Sequence, residues 1–288
     1  MTDSGQSGAG SHKPGRKPIH ADVREKLVRA GLELMLERGF RASLNKVSFV
    51  EVVEHSGVAR ATAYRALAAV GDDSPAEWLD RELLKAALRD APSGSEFDST
   101  AASALAIYES NYDRITDGTV RDLTDTVRAM IRVATDANYD AVLNSDYWKA
   151  YMIAASAFAT QGDNADPDML EVLRKSELNT TREFAQFYET VATVFGRAIR
   201  PEYTWEQLAT MLAALVEGLA MRAPYSEHVG SVTRHTGPGG AEESWNSLGV
   251  ATEALIIAMT KPIPGRAAVD LTIPDTDESH HPKDEPQR

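Results

Sequence analysis

Repeated helix-start signals constrain the fold of this chain more than any other feature of its sequence. The segments SFVE (48–51), SPAE (74–77) and TWEQ (204–207) each place a hydroxyl three residues before a Glu or Gln, which is the pattern of a capping box. Asp166 followed by Pro167 is another such signal. Apolar residues after these signals recur with the period of a helix, and no segment alternates convincingly as a strand does. The sequence therefore predicts an all-α fold.

The pattern predicts about ten helices in two domains. Three short helices are expected in residues 21–70, and a helical bundle of six to seven longer ones in residues 71–262. Residues 1–20 are expected to form a flexible basic arm, and residues 263–288 a disordered acidic tail. A loop rich in Gly and Pro is expected near residues 223–240.

Composition excludes several classes of chemistry. The chain has no cysteine, so disulfides, thiolate zinc sites, cysteine nucleophiles and iron–sulfur clusters are excluded, and the cytoplasm is the expected compartment. No 18 consecutive residues are apolar, so we expect no membrane span and no membrane partner. The seven His residues are scattered without an i, i+4 pair, so we expect no metal site and no cofactor.

The net charge of −13 and the pI of about 5.0 argue, for the chain as a whole, against nucleic-acid binding, because phosphate neutralisation requires Lys and Arg. The charge is unevenly distributed, however. Residues 1–70 carry +4, residues 270–288 carry −4, and the residues between them carry −13. The N-terminal end is therefore the part suited to contact DNA.

The most informative segment is FVEVVEHSGVARATAYRAL at residues 49–67. Two short helices joined by a tight turn at Gly57 follow the plan of a helix-turn-helix, whose second helix lies in the major groove of DNA. Val52, Val53 and Val58 are expected to pack inward and to hold the two helices together.

The second helix of this segment carries side chains suited to DNA. Small Ala59, Ala61 and Ala63 are expected to allow a close approach of the helix. Guanidinium groups bind guanine or phosphate, and hydroxyl groups reach phosphate. The side chains of these types on the helix are Arg60, Thr62, Tyr64 and Arg65.

The segments LVRAGLELMLERGF (27–40) and SGVARATAYR (56–65) resemble the N-terminal region of the tetracycline-repressor (TetR) family of transcriptional regulators. In that family the first helix ends in acid-Arg-Gly-aromatic, as at residues 37–40, and the turn and recognition helix are close to A-G-V-S-x-x-T-x-Y-x-x-F. Beyond this region, helix number, order and length also agree. The resemblance implies a homodimer that binds a palindromic double-stranded DNA operator, usually as a repressor, and releases it when a small apolar effector binds.

Position by position, the resemblance implies that Ser48 caps the second helix and contacts a phosphate, and that Tyr64 contacts another. Arg60, Ala61 and Thr62 lie in the part of the recognition helix that meets DNA. Two interpretations of the N-terminal arm stay open, because its basic residues either reach the adjacent minor groove or backbone or belong to a solvated tail. These basic residues are Lys13, Arg16 and Lys17.

For the C-terminal bundle, the resemblance implies an internal effector cavity and a pair of final helices that dimerise with a two-fold mate. Ordinary core packing is the alternative for both sets of residues. Candidates for the cavity wall are Tyr108, Tyr112, Met130, Trp148, Tyr151, Met152, Phe184, Phe187 and Tyr188. Candidates for the dimer interface are Trp205, Leu208, Met211, Leu212, Leu215, Leu219, Ala251, Leu255, Ile256 and Met259.

Two other functions stay open on the sequence. One is an all-α small-molecule-binding protein or enzyme whose N-terminal corner is incidental, and the other is a helical adaptor that binds protein through its last helices. Catalytic motifs have little support: SLNK (43–46) matches S-x-x-K without its partner motifs, and GPGG (237–240) follows no predicted strand. We therefore do not expect an enzyme.

Overall fold

A computed structural model describes residues 19–38, 47–68, 74–90, 95–161, 166–227, 229–237 and 240–272. Within these residues the chain forms eleven helices and four short strands, so the predicted all-α class is confirmed. None of the described helices combines the length and the apolar character that a bilayer crossing requires. The chain divides into two compact units, Met1–Arg89 and Asp90–Arg288.

The first unit has four helices, which are α1 (Ile19–Arg38), α2 (Phe49–Ser56), α3 (Arg60–Ala68) and α4 (Pro75–Asp90). Helices α2 and α4 begin where the capping signals of the sequence place them. Ser48 caps α2 in a complete capping box, because its hydroxyl accepts from the Glu51 amide while its own amide donates to the Glu51 carboxylate at 2.9 Å. The same reciprocal bonds join Ser74 and Glu77 at the start of α4. The predicted capping boxes are thus confirmed.

The first unit has a core to which all four of its helices contribute. Leu27 of α1, Val52 of α2 and Leu79 of α4 are each fully buried in one apolar cluster. Gly31 lets α1 lie close to α4, since a Cβ at this position would approach the Leu83 side chain to 2.6 Å. The boundary between the two units therefore falls after α4, and not at residue 70 as expected.

The second unit is built from seven helices, of which α7 is central. They are α5 (Ser95–Ser110), α6 (Tyr112–Asp117), α7 (Val120–Asn144), α8 (Asp146–Gln161), α9 (Pro167–Val194), α10 (Trp205–Arg222) and α11 (Ser247–Met259). Helix α7 packs against α5, α6, α10 and α11, while α9 packs against α5, α8 and α10. The predicted helix starts at Asp166 and Thr204 are confirmed, because both side chains accept hydrogen bonds from the first turn of their helix.

Two small antiparallel sheets correct the prediction that the chain has no strand. Strand β1 (Arg197–Ile199) pairs with β4 (Thr260–Pro262), and β2 (Ser231–Arg234) pairs with β3 (Glu243–Asn246). Strands of three or four residues are too short to display an alternating pattern, which explains why the sequence did not reveal them. Strand β2 lies within residues 223–240, which were expected to form only a loop.

The residues that follow β4 pack against the helices up to residue 272. Val269 and Leu271 are 1% and 3% exposed in the core of the second unit. The Val269 amide donates to the Phe195 carbonyl at 3.1 Å, and the Arg128 guanidinium donates to the Leu271 carbonyl at 3.2 Å. The expected disordered tail therefore cannot begin at residue 263, and residues 273–288 lie outside the described part of the chain.

We expect Leu271→Ala to lower the free energy of unfolding by about 2–4 kcal/mol, because it removes a buried apolar side chain and leaves a cavity. Urea denaturation followed by circular dichroism measures this change. Arg266→Ala, at an exposed position of the same segment, is the control and should change stability by less than about 0.5 kcal/mol. Equal effects of the two substitutions would contradict the packing of this segment.

Candidate functional site

The connection between α2 and α3 is short and tightly held. Gly57 ends α2 with a φ of 65°, in the left-handed region that glycine adopts without strain. Val58 packs against the apolar cluster of the first unit, and Val52 and Val53 are buried there, as predicted. The Ala59 carbonyl then accepts from the first amides of α3. Only residues 57–59 separate the two helices.

Helix α3 has one buried face and one exposed face. Ala63, Ala66 and Leu67 are buried in the unit, whereas Thr62 is half-buried. The small size of Ala63 was expected to allow a close approach of the helix to DNA. That expectation is wrong, because Ala63 faces the core. The exposed residues of this helix that were predicted to contact DNA are Arg60, Ala61, Tyr64 and Arg65.

The exposed face of α3 is partly ordered by its own contacts. The Tyr64 ring packs edge-on against Phe49 of α2, with ring centroids 5.2 Å apart, and the Arg60 guanidinium lies 5.8 Å from the Tyr64 ring centroid. The Arg65 Nε donates to the Ala61 carbonyl at 3.1 Å. Two guanidinium groups and a phenol thus share one outward surface, a combination suited to phosphate or base edges.

Ser48 lies at the N-terminus of α2, and its hydroxyl is already engaged. The hydroxyl donates to the Glu51 carboxylate at 2.8 Å and accepts from the Glu51 amide at 3.3 Å. Its capping role is therefore present, whereas a phosphate contact stays a prediction. Three other residues predicted to contact DNA lie outside the described residues: Lys13, Arg16 and Lys17.

The second unit contains an internal cavity of about 190 Å³, lined by residues from α5, α7, α8, α9, α10 and α11. Most of its wall is apolar or aromatic. Six of the nine residues predicted for the wall line this cavity: Met130, Trp148, Tyr151, Phe184, Phe187 and Tyr188. A cavity of this kind, between helices and mostly apolar, is a typical place for a small ligand.

The other three predicted wall residues lie elsewhere. Tyr108 is half-buried and packs against the core cluster of the second unit, with its ring edge-on to Tyr112. Tyr112 is 54% exposed. Met152 is half-buried on α8 and is not part of the cavity lining. Helical spacing alone could not distinguish these residues from residues that line the cavity, because spacing does not show which other helix a given helix face packs against.

Several residues predicted for the dimer interface are instead buried within the chain itself. Leu208, Leu212 and Met259 are 1–4% exposed and form one apolar cluster, so they are unavailable to a second copy. Trp205 and Ile256 line the cavity. Of the remaining candidates, Met211 is 44% exposed, and the others are half-buried: Leu215, Leu219, Ala251 and Leu255.

Carboxylates in the cavity wall are the feature that sequence reasoning missed. Glu96 of α5, Glu177 of α9 and Glu217 of α10 all line it, together with the exposed Glu183. One signal for this was available: Glu217 is the charged residue that interrupts the most apolar stretch of the sequence, residues 211–221. A charge within such a stretch indicates either a ligand site or a buried partner.

Hydrogen bonds and pKa shifts show that Glu177 and Glu217 lie close to the Tyr151 hydroxyl. The Tyr151 hydroxyl donates to one oxygen of Glu177, and the Thr181 hydroxyl donates to the other, each at 3.1 Å. Burial, and then the charges of Glu177 and Glu217, raise the pKa of Tyr151. Burial, and then the charge of Glu177, raise the pKa of Glu217 to about 7. Beside them, the hydroxyls of Tyr147 and Ser176 are hydrogen-bonded to each other.

No protein-family model matches this chain, and no curated protein is significantly similar to it. The outward residues of α3 and the cavity of the second unit are therefore the features that bear on function.

We expect the raised pKa of Glu217 to make stability fall as the pH rises. Below about pH 4.5 this carboxyl is protonated in both the folded and the unfolded chain, and between about pH 4.5 and 7 only the unfolded chain releases the proton. Glu217→Gln cannot ionise, so it should unfold with a free energy about 3 kcal/mol higher than the unmodified protein at pH 8, and about equal to it at pH 4. Urea titrations at both pH values measure the difference.

Glu206→Gln is the matched control, since Glu206 is exposed on the first turn of the same helix. Its stability should follow that of the unmodified protein at both pH values. If Glu217→Gln and Glu206→Gln behave alike, the carboxyl of Glu217 does not titrate in a buried environment.

Proposed function

We propose that this protein is a ligand-responsive, DNA-binding transcriptional regulator similar to the TetR family, a repressor that acts as a homodimer on a palindromic operator. The observation that carries the proposal is the outward face of α3, which follows the Gly57 turn and exposes Arg60, Tyr64 and Arg65 together. In a helix-turn-helix this face of the second helix enters the major groove. The N-terminal three-helix bundle formed by α1, α2 and α3 is its scaffold.

The second unit is the ligand-responsive part of this proposal. The dimer exchanges between two states, and in one of them the two copies of α3 lie in successive major grooves about 34–36 Å apart. A ligand that binds the cavity more tightly in the other state releases the DNA. By linkage, DNA then weakens ligand binding by the same factor.

Selection of bound duplexes from a random pool with the purified full chain tests the regulator directly. A palindromic consensus is expected, because a two-fold dimer presents two equal half-site readers. A pool that shows no enrichment would refute DNA recognition by this protein.

On the selected duplex, we expect Arg60→Ala combined with Tyr64→Phe to weaken binding at least tenfold, since a guanidinium and a hydroxyl contact are lost. Tyr64→Phe keeps the ring that packs on Phe49, so the fold should be retained. Fluorescence anisotropy with labelled duplex measures the affinity, and the same titration should show a steep fall with salt.

Arg174→Ala is the matched control, because it removes one exposed guanidinium from α9 of the second unit. It should leave the affinity for the duplex within about twofold. Unchanged binding by the double variant at Arg60 and Tyr64 would mean that α3 is not the recognition helix.

The proposed dimer uses the outer faces of α10 and α11. On α10, Met211 and Ala214 are exposed at helical spacing, with half-buried Leu215 beside them, and α11 exposes Ala254 and Ala258 in the same way. Small residues on two packed helices allow two copies to approach closely in an isologous interface.

We expect sedimentation to show a dimer at micromolar concentration and Met211→Glu to shift it to a monomer, because two like charges would be buried across the two-fold axis. Leu178→Glu is the control, since Leu178 is 53% exposed on α9, a helix that is not part of the proposed interface. A monomeric unmodified protein, or a Met211→Glu variant that dimerises normally, would contradict the proposed interface.

One observation favours the alternative of an all-α small-molecule-binding protein or enzyme. The pKa of Glu217 is about 7, close to the value at which a carboxyl is an efficient general acid or base, and the residue lies in a cavity with two tyrosine hydroxyls nearby. This alternative predicts no duplex enrichment in the selection experiment, so the same measurement separates the two functions.

A further inference from the structure

We infer that the cavity of the second unit binds a hydrophobic organic cation, with the positive charge among Glu96, Glu177 and Glu217 and the apolar body against the aromatic wall. This goes beyond the small apolar effector that the sequence suggests. The role of this cation as an effector rests on the proposed function, whereas the binding of the cation does not require DNA.

The charge of the wall is unbalanced. Four lining residues are carboxylic acids and one, Arg197, is basic. The Arg197 guanidinium donates to the Thr260 hydroxyl at 2.7 Å and to the carbonyls of Thr260 and Val269 at 3.2 and 3.0 Å. It is therefore engaged by neutral oxygens, and no ion pair with a cavity carboxylate is present in the described part of the chain.

Glu177 lies near each of the other two carboxylates, because the charges of Glu96 and Glu177 both raise the pKa of Tyr147. Glu177 is held by the hydroxyls of Tyr151 and Thr181, and both Glu177 and Glu217 act on the pKa of Tyr151. The lining residues from α7 and α11 include no titratable side chain. Glu217 thus faces a like charge from α9 and a phenol from α8, and no cation of the described residues lowers its pKa.

Two carboxylates of this group lack a donor. The Glu96 Oε1 atom is buried and has no hydrogen-bond partner among the described residues. Glu217 makes no hydrogen bond or ion pair there either. The buried Glu96 oxygen is expensive to leave without a donor, and an ammonium group, with up to three donors, supplies one there and a counter-charge to half-buried Glu217.

Aromatic rings, together with aliphatic side chains, form most of the rest of the wall and select the body of the ligand. Phe97 packs edge-on against Phe184 and Phe187, with centroids 5.3 and 6.0 Å apart, and Phe184 lies 5.8 Å from Tyr188. Aromatic faces attract organic cations and exclude strongly hydrated ones. Among the described residues, no three His, Cys, Asp or Glu side chains are placed so that they could share one metal ion.

Calorimetric titration of the full chain at pH 8 with three matched compounds tests the inference. They are 4-phenylbutylamine, 4-phenylbutan-1-ol and 4-phenylbutyrate, which share an apolar body and differ in head-group charge. We expect the amine to bind at least tenfold more tightly than the alcohol, and the carboxylate to bind most weakly. Equal affinities, a preference for the carboxylate, or no binding of the amine at millimolar concentration would overturn the inference.

Substitutions on α10 test whether Glu217 is a carboxylate that binds the charged head group of the amine. Glu217→Gln should weaken the amine at least tenfold and leave the alcohol unchanged, whereas Glu206→Gln, the exposed control on the same helix, should change neither. The amine should bind the unmodified protein about tenfold more tightly at pH 8 than at pH 6, because Glu217 ionises over this range while the amine stays protonated. The same pH change should have little effect on Glu217→Gln. Amine affinity that is insensitive to Glu217 would overturn the assignment.

The two proposals fail separately. If a duplex is selected but the amine does not bind, the ligand class is wrong and the regulator stands. If the amine binds in the expected way and no duplex is selected, the ligand class stands and the regulator is wrong.

Discussion

The second unit depends on one buried ion pair. The Arg128 guanidinium of α7 donates to the Glu253 carboxylate of α11 at 2.8 Å, and their side chains are only 2% and 7% exposed. The other Glu253 oxygen is bound by Arg234 of β2, and Arg128 also donates to the carbonyl of Leu271. Removing one member would leave an uncompensated charge in the interior, which typically costs about 3–5 kcal/mol. The pair thereby fixes two helices, a hairpin and the C-terminal segment in one arrangement.

The hairpin of β2 and β3 explains why such charges are tolerated inside a helical unit. Trp245 of β3 is fully buried, its indole nitrogen donates to Thr236 at 2.7 Å, and Arg234 stacks 4.4 Å from the centroid of its ring. Arg132 of α7 reaches Glu243 with two bonds of 3.0 and 3.1 Å. The hairpin therefore supplies the carboxylate that pairs with Arg132 and a second guanidinium for Glu253. The α7 residues that line the cavity carry no charge.

Local interactions made part of this fold predictable from sequence, and long-range ones made the rest unpredictable. The capping box at Ser48 and the left-handed turn at Gly57 depend on residues within one helical turn, so their spacing reveals them. The Arg128–Glu253 pair joins residues 125 positions apart, and the sequence around either residue contains no pattern that predicts the pair. The dimer prediction failed at Leu208 for a related reason: an apolar helix face shows that something covers it, but not whether the cover is the same chain or a second copy. For the cavity, most of the aromatic wall residues could be predicted. The carboxylates of the wall could not be distinguished from the many other acidic residues of the chain, although Glu217 interrupts an apolar stretch.

That acidic charge is not all on the surface, and its buried part has a thermodynamic consequence. Glu217 opposes folding increasingly between about pH 4.5 and 7, and by a constant amount above that, since burial and the charge of Glu177 both disfavour its carboxylate. A bound cation would remove most of this penalty, so it would stabilise the folded chain by more than its apolar contacts alone account for. A neutral ligand of the same shape would leave the penalty in place, and an anion would increase it. The Glu217 carboxyl that destabilises the folded chain therefore also makes the cavity selective for a cation over a neutral ligand or an anion. Selectivity depends on the difference between the free energies with which the ligands interact with this group.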